Sequence, residues 1–481
     1  MSLRISLRGL IVAVFLLAPA TAQLDDATRK LSRDIFKQLI DINTTDSSGD
    51  NTAAARAMAK RLLDAGYPES DVKVLVPTGR PNKGNLVARL HGTANSRLKP
   101  ILVIGHLDVV EALRADWSTD PFQFVEKDGF FYGRGTQDMK SQDAMVVTTF
   151  IRFKKEGYRP SRDLILGLTS DEEGGTANGV DWLLKNHRDL IDAEFVLNAD
   201  SGGVMTDKGK PVDVEVAAAE KLYADFQLTV TNPGGHSSMP VPDNAIYHLA
   251  DALGRLEHSS FPFELNGVTR VYFERLATHE TAQNAADMKA MLRNPPDQAA
   301  IARLSADPHF NSLLHTSCVA TRLNAGHANN ALPQTAQAIV NCRILPGHAP
   351  EEVRMELIGK LADPKVAVRY VDGSSGRVSD RAPGKAGPLP GAPRADVLKP
   401  LERVADSLWP GAPVVVDMET GASDSKYTIA AGMPSFGIGE EAIDRDDIRA
   451  HGKDERLRVS SYYEGVDFFY RYLKAVSSPV Q

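Results

Sequence analysis

Residues 101–203 set the architecture of the chain and contain ILVIGHLDVV (101–110), GRGTQDMK (133–140), DLILGLTSDEEGG (163–175) and EFVLNADSGG (194–203). Its apolar runs at 101–105, 164–168 and 195–198 have the length of buried strands, and helical patterns lie between them. Buried strands that alternate with helices are typical of a mostly parallel sheet. We therefore predict an α/β fold with this stretch at the centre of the sheet.

Each of the three strands is followed by side chains that can bind a metal. His106 follows the first strand, Glu172 and Glu173 follow the second, and Asp200 follows the third. Asp138 lies where the GRGTQD loop enters the next helix. Because open α/β sheets bind ligands at the carboxyl ends of their strands, these positions predict one shared site.

Taken alone, each of these residues also has a purely structural explanation. His106 could be a buried core histidine, and Asp138 could cap the helix that follows it. Glu172 and Glu173 could belong to a solvated acidic loop. Asp108 is two residues beyond His106, on the same side of an extended chain, where its carboxylate could accept the proton of the second ring nitrogen.

Together, the candidate ligands favour a pair of metal ions. One histidine and several carboxylates form a hard nitrogen and oxygen site that suits zinc, cobalt or manganese better than copper or an iron–sulfur cluster. There are too many ligands for one tetrahedral ion. Two ions that share a bridging carboxylate would use all of them if a second histidine came from elsewhere in the chain. Because adjacent side chains diverge, we expect one glutamate of the pair to bind metal and the other to act on a water molecule.

Composition and charge are those of a large globular protein. Of the 481 residues, 42% are hydrophobic and 24% are charged, enough for two or three domains with separate cores. The net charge of -7 offers no basic surface to nucleic acid. We expect no nucleic-acid partner.

The first residues have the three parts of a secretory signal peptide. Arg4 and Arg8 precede an apolar run at 9–18, and the small-x-small site Ala20-Thr21-Ala22 follows it. The apolar run is shorter than the roughly 20 residues of a membrane-spanning helix, and an uncleaved anchor is the alternative. We predict export to a secreted or periplasmic location and no stable membrane insertion.

Five motifs together resemble one enzyme family. They are GHLDVVEALRADWSTDPFQFVEKDGFFYGRGTQDMK (105–140), SDEEGG (170–175), NADSGG (198–203), GGHSS (234–238) and AHGKDE (450–455). In order and spacing, over nearly all of the mature chain, they resemble metallopeptidase family twenty. This is the di-zinc family of aminoacylase, acetylornithine deacetylase, succinyl-diaminopimelate desuccinylase, carnosinase-type dipeptidases and glutamate carboxypeptidase. The resemblance implies a di-zinc exopeptidase catalytic domain with an inserted α+β lid that also pairs subunits into a homodimer.

The resemblance also implies a role for each candidate residue at the metal site. It implies five ligands for two zinc ions: His106 and Asp200 on one ion, Glu173 and His451 on the other, and Asp138 bridging both. Asp108 would orient His106. Glu172 would be the general base that takes a proton from the metal-activated water.

In the second half, the resemblance implies residues that contact the substrate. His236, in the GGHSS loop, would reach the site of a partner subunit and stabilise the oxyanion, although it could instead only cap the following turn. Asn330 and Arg343 match positions that contact the terminal carboxylate of the substrate. For Arg343 a surface salt bridge is the alternative. Gly421 and Lys426, in TGASDSKY, match a glycine-rich segment that lines the substrate pocket.

These assignments divide the chain into five segments. We predict a signal peptide at 1–22, the first part of the catalytic domain at 23–217, the lid and dimerisation domain at 218–372, a return linker at 373–398 and the second part of the catalytic domain at 399–481. Cys318 and Cys342 both fall in the predicted lid, and whether they form a disulfide stays open.

The chain departs from the family pattern at three places. Ser141 and Gln142 replace the two glycines that usually follow DMK, and Glu111 replaces a proline after HLDVV. Lys426 stands where many relatives have arginine, so it offers a point charge where arginine offers a planar fork.

Two classes of function follow. The first is an exported zinc-dependent metallohydrolase that cleaves an amide or peptide bond next to a free carboxylate, as a carboxypeptidase or dipeptidase, with N-acyl-amino-acid deacylation on the same site as the alternative. Its cofactors would be two divalent metal ions per subunit, zinc or else cobalt or manganese. The second is a non-catalytic relative that keeps the fold as a binding module. The presence of every implied ligand and of Glu172 favours the enzyme.

Overall fold

The computed structural model describes residues 24–94, 96–278, 280–373, 375–439 and 441–478, so the predicted signal peptide at 1–22 lies outside the described residues. The strands within these ranges are, in chain order, β1 (Val72–Leu75), β2 (Asn85–Leu90), β3 (Ile101–His106), β4 (Val125–Lys127), β5 (Phe130–Tyr132), β6 (Leu164–Thr169), β7 (Phe195–Asn198), β8 (Gly203–Asp207), β9 (Lys210–Glu220), β10 (Leu222–Thr231), β11 (Gly235–His236), β12 (Ser317–Ala325), β13 (Ala331–Leu332), β14 (Thr335–Ile344), β15 (Ala367–Val371), β16 (Val378–Ser379), β17 (Val414–Glu419), β18 (Ser435–Gly437), β19 (Ala442–Asp444) and β20 (Arg456–Arg458).

The helices within the same ranges are α1 (Asp26–Ile40), α2 (Asn51–Asp64), α3 (Lys140–Glu156), α4 (Gly179–Asn186), α5 (Arg188–Ile191), α6 (Ala245–Glu257), α7 (Gly267–Leu276), α8 (Ala282–Met291), α9 (Gln298–Leu304), α10 (Pro308–Leu314), α11 (Pro350–Leu361), α12 (Ala395–Leu408), α13 (Ser425–Ala430) and α14 (Val459–Ser477). None of these helices combines the length and the apolar character needed to cross a bilayer.

A large mixed sheet forms the body of the molecule. Its strand order is β1-β2-β6-β3-β7-β18-β9-β8-β19, with β17 beside β9. The central strands β6, β3, β7 and β18 are parallel, whereas β1 and β2 run antiparallel at one edge. The predicted α/β class with a mostly parallel centre is confirmed.

The central strands are buried on both faces, which explains their continuous apolar sequence. In β3, Ile101 and Val103 belong to the core beneath α1, α3 and α14, whereas Leu102 and Ile104 belong to the core beneath α4. This alternation is the period of two that a strand imposes on its side chains. The chain must therefore place its polar ligands at the strand ends.

A small three-stranded sheet brings two distant motifs together. β4 and β5 form a hairpin whose turn residues Asp128 and Gly129 have φ values of 52° and 79°, the positive angles of a type I′ turn. β5 leads into the GRGTQD loop, and β20 follows the AHGKDE segment. Because β20 pairs antiparallel with β5, the two motifs lie side by side.

A second sheet forms a separate body with its own core. Its order is β12-β14-β10-β15-β16, and every neighbouring pair is antiparallel. Apolar residues of α6 and α11 pack on it and form a core distinct from that of the large sheet. Lys221 lies at the passage from β9 to β10, fully buried, and its Nζ donates to the carbonyls of Ser312 and His315 at 2.8 Å each.

Helices α7 to α10 lie within the segment predicted as the lid but pack against the large sheet. Phe273 of α7, Met288 of α8 and Leu313 of α10 share the core that contains Val416 of β17. The segment 218–372 therefore contributes to two cores.

The cysteines form a disulfide across two strands of the second sheet. Cys318 of β12 lies directly opposite Cys342 of β14, and their Cα atoms are 4.1 Å apart. This answers the question that the sequence left open.

Candidate metal centre

The first donor group lies at the ends of β3 and β7, which are adjacent and parallel. His106 is almost fully buried, and its Nε2 lies 3.1 Å from Asp138 Oδ1 and 3.3 Å from Asp200 Oδ1. Asp138 does not cap α3, because the N-cap residue is Met139 and no side chain caps this helix. The carboxylate is therefore available to a ligand.

The second donor group uses the other oxygen of Asp138. His451 Nε2 lies 2.9 Å from Asp138 Oδ2 and 2.9 Å from Glu173 Oε2. The Glu173 side chain is only 9% exposed, which argues against a solvated loop. Asp138 thus faces one histidine with each oxygen, which is the geometry of a bridging carboxylate between two sites.

The residues present fit two cations. His106 Nδ1 lies 3.0 Å from the carbonyl oxygen of Asp108, and a carbonyl can only accept, so Nδ1 carries the proton and Nε2 turns its lone pair towards two carboxylates. Asp138 Oδ1 is buried and has no hydrogen-bond donor among the described residues. A lone pair and carboxylates that converge in this way need a positive charge between them. The donor sets His106, Asp138, Asp200 and Asp138, Glu173, His451 each supply one nitrogen and two carboxylates.

The electrostatics of the centre without bound cations agree with this interpretation. Hydrogen bonds to Asp138 and Glu173 raise the pKa of His451 to about 10. Burial, together with the charge of Asp200, raises the pKa of Glu172 to about 9. A nearby cation favours the ionised carboxylate and the neutral imidazole, so bound metal would lower both values.

Asp108 acts differently from the sequence prediction. Its main-chain carbonyl, rather than its carboxylate, holds the His106 ring, since the carboxylate Oδ1 is 3.7 Å from Nδ1. The carboxylate instead accepts hydrogen bonds from the main-chain N–H groups of Glu172 at 3.2 Å and Glu173 at 3.0 Å. β3 ends at His106, so the alternation of an extended strand does not continue to Asp108. The Asp108 side chain therefore positions the glutamate pair.

Glu172 lies beside the centre without joining either donor group. Its half-buried carboxylate makes no hydrogen bond or ion pair with the described residues, whereas Glu173 contacts His451. The two glutamates therefore diverge, as the sequence predicted.

Glu455 is a positioning residue that the sequence analysis missed. It is fully buried, and its carboxylate accepts hydrogen bonds from Arg134 at 2.7 Å and from the main-chain N–H groups of Gly135, Gln137 and Asp138 at 3.0, 2.6 and 3.1 Å. One side chain thus fixes the whole turn that presents Asp138. Glu455 is the glutamate of the AHGKDE motif, and that motif was the sequence signal from which its role could have been predicted.

Gln137 performs the reciprocal task for the loop of His451. Its Oε1 accepts from the main-chain N–H groups of Arg449 and Ala450, and its Nε2 donates to the carbonyls of Asp447 and Arg456. His451 itself has a φ of 62°, a left-handed conformation that is uncommon outside glycine. The bonds of Gln137 hold the loop in which this conformation occurs.

Two of the predicted substrate contacts lie in a ribbon of β11 and β13. His236 is exposed, and its Nδ1 accepts a hydrogen bond from the Ser238 N–H at 3.2 Å, the turn-capping contact of the alternative interpretation. Asn330 is exposed, and its carbonyl accepts from the Ser237 N–H. Gly234, with a φ of 78°, allows the bend before this ribbon. No described residue of the metal centre contacts the His236 ring.

The remaining predicted contacts lie on β14 of the second sheet and in the segment that leads into α13. Arg343 sits over the ring of Tyr223, 4.8 Å from its centroid, and forms no ion pair among the described residues, so the surface salt bridge is not observed. Burial and the charge of Arg343 lower the pKa of Lys221 to about 7, which places Arg343 at the passage between the sheets. Gly421 and Lys426 are half-buried in the segment before and at the start of α13.

The segment of Lys426 reaches the metal centre through Asp424. This buried aspartate accepts a hydrogen bond from Asn178 at 2.6 Å and another from Thr169, the last residue of β6, at 3.2 Å. Asp424 also contributes to the raised pKa of Glu172. The TGASDSKY segment therefore adjoins the centre through Asp424, and its contact with a substrate stays a prediction.

The fold and the paired donor groups define a class of protein, an α/β metallohydrolase with a dinuclear centre at the carboxyl ends of parallel strands. The model of Peptidase family M20/M25/M40 matches residues 102–475, and the chain belongs to this family. The family expected from the five motifs is confirmed.

The chain is similar over most of its length to named members of the family. It is 27% identical to the N-fatty-acyl-amino acid synthase/hydrolase PM20D1 of Xenopus tropicalis, over 96% of this chain and 92% of that protein. It is 26% identical to aminoacylase-1A of Rattus norvegicus, over 92% of this chain and 95% of that protein. Its fold resembles that of the M20 family metallo-carboxypeptidase Sso-CP2 from Sulfolobus solfataricus, with a TM-score of 0.65 and 16% identity over 94% of this chain and 100% of that chain.

Proposed function

We propose that the chain is an exported metallohydrolase that cleaves an amide or peptide bond next to a free carboxylate. The observation that carries the proposal is the pair of donor groups that share Asp138, with the unligated carboxylate of Glu172 beside them. Five ligands and a base in one crevice are the parts that hydrolysis needs, whereas a binding module has no use for the base.

Each residue of the centre has one task in this reaction. The ligands would hold two divalent ions, zinc or else cobalt or manganese, which when bound supply a water of lowered pKa and polarise the scissile carbonyl. Glu172 takes the proton from the attacking water and passes it to the leaving amine. Asp108 holds the main chain of Glu172 in place through its carboxylate.

Recognition of the free carboxylate falls to the second sheet and to the TGASDSKY segment. Arg343 has a guanidinium without an ion-pair partner among the described residues, and it can grip a carboxylate with two hydrogen bonds. Lys426 offers one positive charge near Asp424. Asn330 and Gly421 are the other two predicted contacts. The side-chain amide of Asn330 and the main chain at Gly421 can each form hydrogen bonds with a carboxylate or an amide of the substrate.

N-acyl-amino-acid deacylation on the same site is the second candidate. The names of two relatives favour it, since one is an N-fatty-acyl-amino acid synthase/hydrolase and the other an aminoacylase. Carboxypeptidase and dipeptidase activities differ from this deacylation only in the acyl half of the substrate, which is a peptide or an amino acid instead of a simple acyl group. All three share the bond that is cleaved.

We propose further that the segment 218–372 acts as a lid and that two copies pair through it. β12 is an edge strand, and it exposes Val319 and Leu323. α6, which packs beside it, exposes Tyr247 and Ile246. An exposed apolar edge strand makes a single subunit prone to aggregation, and pairing with a second copy would bury it. His236 would then reach the centre of the partner.

Export is supported by two observations. The segment 1–22 has the pattern of a signal peptide, and Cys318 and Cys342 form a disulfide. Disulfides persist in oxidising compartments outside the cytosol.

The test is a substrate panel with control of the metal. The mature protein is dialysed against a chelator, and then assayed on dipeptides and N-acyl-amino acids before and after zinc, cobalt or manganese is added back. We expect turnover only with metal. Glu172→Gln should keep its metal but lose roughly a hundredfold to ten-thousandfold in kcat, whereas Glu257→Gln, an exposed substitution, should match the wild type. Metal-loaded protein without turnover on any substrate would favour the binding module.

A further inference from the structure

A cavity of about 210 Å³ opens beside the metal centre on the side of Asp138 and Asp200. Its other walls include two carboxylates and several apolar side chains: Glu215, Glu441, Met205, Ile443 and Ile448. The lining residues belong to the large sheet, to its loops and to the first turn of α3, and none belongs to the segment 218–372 or to TGASDSKY at 420–427. Because the proposed function assigns the free carboxylate to the second sheet and to TGASDSKY, this cavity faces the acyl half of the substrate.

Glu441 reaches the cavity with half of its carboxylate unsatisfied. Its side chain is 2% exposed, and Oε2 accepts a hydrogen bond from the Ser141 hydroxyl at 2.8 Å. Oε1 is buried and has no hydrogen-bond partner among the described residues. Burial, with the negative charges of Glu455 and Asp138, raises the pKa of Glu441 well above its usual range. Nothing described around Glu441 supplies a positive charge.

Glu215 supplies the second carboxylate from β9. It is half-buried and forms neither a hydrogen bond through its side chain nor an ion pair within the described ranges. Burial, with the charges of Asp213 and Glu419, raises its pKa to about 7. The cavity therefore contains two carboxylates, and the groups that face them are also acidic.

Ser141 and Gln142 connect this cavity to the departure from the family motif. Both stand where glycines usually follow DMK, and the Ser141 hydroxyl supplies the hydrogen bond that Glu441 accepts. Gln142 lines the cavity, and its Nε2 donates to the Gln137 carbonyl. The polar wall is therefore built by side chains that this chain carries in place of glycine.

The residues that line the cavity indicate which chemical class of ligand it binds. A buried carboxylate without a partner costs several kcal/mol, and a hydrogen-bond donor with a positive charge removes that cost. Glu215 and Glu441 do not belong to any group of three converging metal-binding side chains among the described residues, so a metal ion does not fit. Met205, Ile443 and Ile448 can pack on a methylene stem.

We propose that the cavity bounded by Glu215 and Glu441 is a subsite for a cationic acyl half, an ammonium or guanidinium group at the end of an aliphatic stem. A plain alkyl chain in this place would exclude water from the half-buried Glu215 and would leave Glu441 Oε1 without a partner. The proposal rests on the proposed function and adds to it a preference for the acyl half.

The test compares two acyl groups of the same shape. N-(ε-aminocaproyl)-amino acids and N-heptanoyl-amino acids differ in one terminal group, an ammonium or a methyl. Each acyl group is attached to the same panel of amino acids, and kcat/KM is measured with the metal-loaded full-length protein. We expect the aminocaproyl series to be favoured by roughly tenfold to a hundredfold, the range of a hydrogen bond to a charged group. Equal rates, or faster heptanoyl cleavage, would overturn the subsite while leaving the proposed function intact.

Two variants assign the preference to the carboxylates. Glu441→Gln keeps an acceptor for Ser141 and removes the charge, and Glu215→Gln removes the other charge. Each should reduce the aminocaproyl-to-heptanoyl ratio, whereas Glu257→Gln on the surface should leave it unchanged. Metal content and the melting temperature are measured for all three. A full ratio in both variants would contradict the assignment. Turnover of dipeptides but of neither acyl series by the wild type would overturn the subsite alone, and no turnover of any substrate by the metal-loaded protein would overturn the proposed function as well.

Discussion

Asp138 is the residue through which both halves of the candidate centre are connected. Its Oδ1 faces His106 and its Oδ2 faces His451, whereas Asp200 contacts only the first histidine. Removal of a bridging ligand should therefore change the amount of bound metal more than removal of a terminal ligand. Loss of the bridge affects two ions, and loss of the terminal ligand affects one.

The first prediction uses that difference. Asp138→Ala should reduce the bound metal from about two ions per chain to well below one, whereas Asp200→Ala should keep about one, because only one site loses a ligand. Elemental analysis after dialysis against a metal buffer measures both. The same stoichiometry in the two variants would contradict the bridging role of Asp138.

The second prediction concerns Glu455, whose carboxylate accepts four hydrogen bonds in a fully buried place. Glu455→Gln leaves Arg134 buried with a neutral partner, which should cost about 3–5 kcal/mol of stability and loosen the turn of Asp138. The matched control is Glu402→Gln, since Glu402 pairs with Arg275 at the surface and such pairs contribute at most about 1 kcal/mol. Chemical denaturation of the metal-free proteins compares them. Equal losses in the two variants would be incompatible with a special role for Glu455.

At the scale of elements, the disulfide fastens the edge strand β12 to its neighbour β14. β12 is a long edge strand with most of its residues exposed, and the bond between Cys318 and Cys342 closes a loop with a sequence separation of 24 residues. Such a crosslink restricts the unfolded chain more than the folded one. Loss of the disulfide should therefore destabilise the core beneath α6 and α11 most.

The third prediction follows from that crosslink. Cys318→Ser combined with Cys342→Ser, or reduction of the wild type, should lower stability by about 3 kcal/mol, the value expected for a loop of this size. The melting temperature with and without a reductant measures it, and the double variant serves as the control because a reductant should not affect it. An unchanged wild type after complete reduction, verified by thiol labelling, would contradict the prediction.

The elements that the sequence predicted well are those governed by local pattern. β3, β6 and β7 are continuous apolar runs with ligands at or shortly after their ends, so both their type and their common edge followed from the sequence. The turn at Asp128 and Gly129 has the positive φ angles that an Asp-Gly pair favours. Periodicity and turn chemistry carry this information within a few residues.

What the sequence did not predict depends on contacts between distant parts of the chain. Glu455 and Gln137 each serve a loop more than 300 positions away, and only the pairing of β20 with β5 brings those loops together. The bonds of the Asp108 carboxylate to the main chain of Glu172 and Glu173 could not be predicted from strand alternation, because the strand ends at His106. The packing of α7 on β17 likewise depends on which sheet an amphipathic helix meets.

At the scale of the whole molecule, the acidic groups around the crevice couple stability to pH. Burial raises the pKa of Glu220 to about 8, and it raises the pKa of Asp108 and Glu215 to about 7. In the unfolded chain such groups titrate near about pH 4, so between about pH 5 and pH 7 the folded state holds protons that the unfolded state has lost. Burial lowers the pKa of Lys140 and Lys221 to about 7. These two lysines increase the stability of the folded state as the pH rises, but only above that interval.

The fourth prediction is that the metal-free protein loses stability as the pH rises from about 5 to about 7. Denaturation midpoints in the presence of a chelator measure this, and Glu220→Gln should flatten the slope because it removes one of the groups. Added zinc should reverse the trend, since metal binds the deprotonated ligands. Midpoints that rise with pH in the chelated protein would contradict the prediction.

The fifth prediction tests whether two copies complete each other's sites. If His236 crosses to the partner, the centre of one subunit uses its own Glu172 and the partner's His236. Glu172→Gln and His236→Ala should each be nearly inactive alone, because every site then lacks one group. After the two are unfolded and refolded together, half of the dimers are mixed, and one site in each mixed dimer has both groups. Activity should therefore return to about a quarter of the wild-type value, by the symmetry of a two-fold dimer.

The control for this mixing experiment carries a disrupted pairing surface. Leu323→Glu, placed on the exposed edge strand β12, should give monomers in sedimentation and abolish complementation, because a buried charge at the pairing surface has no partner. If His236 acts only within its own chain as a turn cap, His236→Ala alone retains most of its activity, and the mixture shows only the summed activity of its two components, with or without Leu323→Glu. Recovery near a quarter that disappears with Leu323→Glu is explained only by a site shared between two chains.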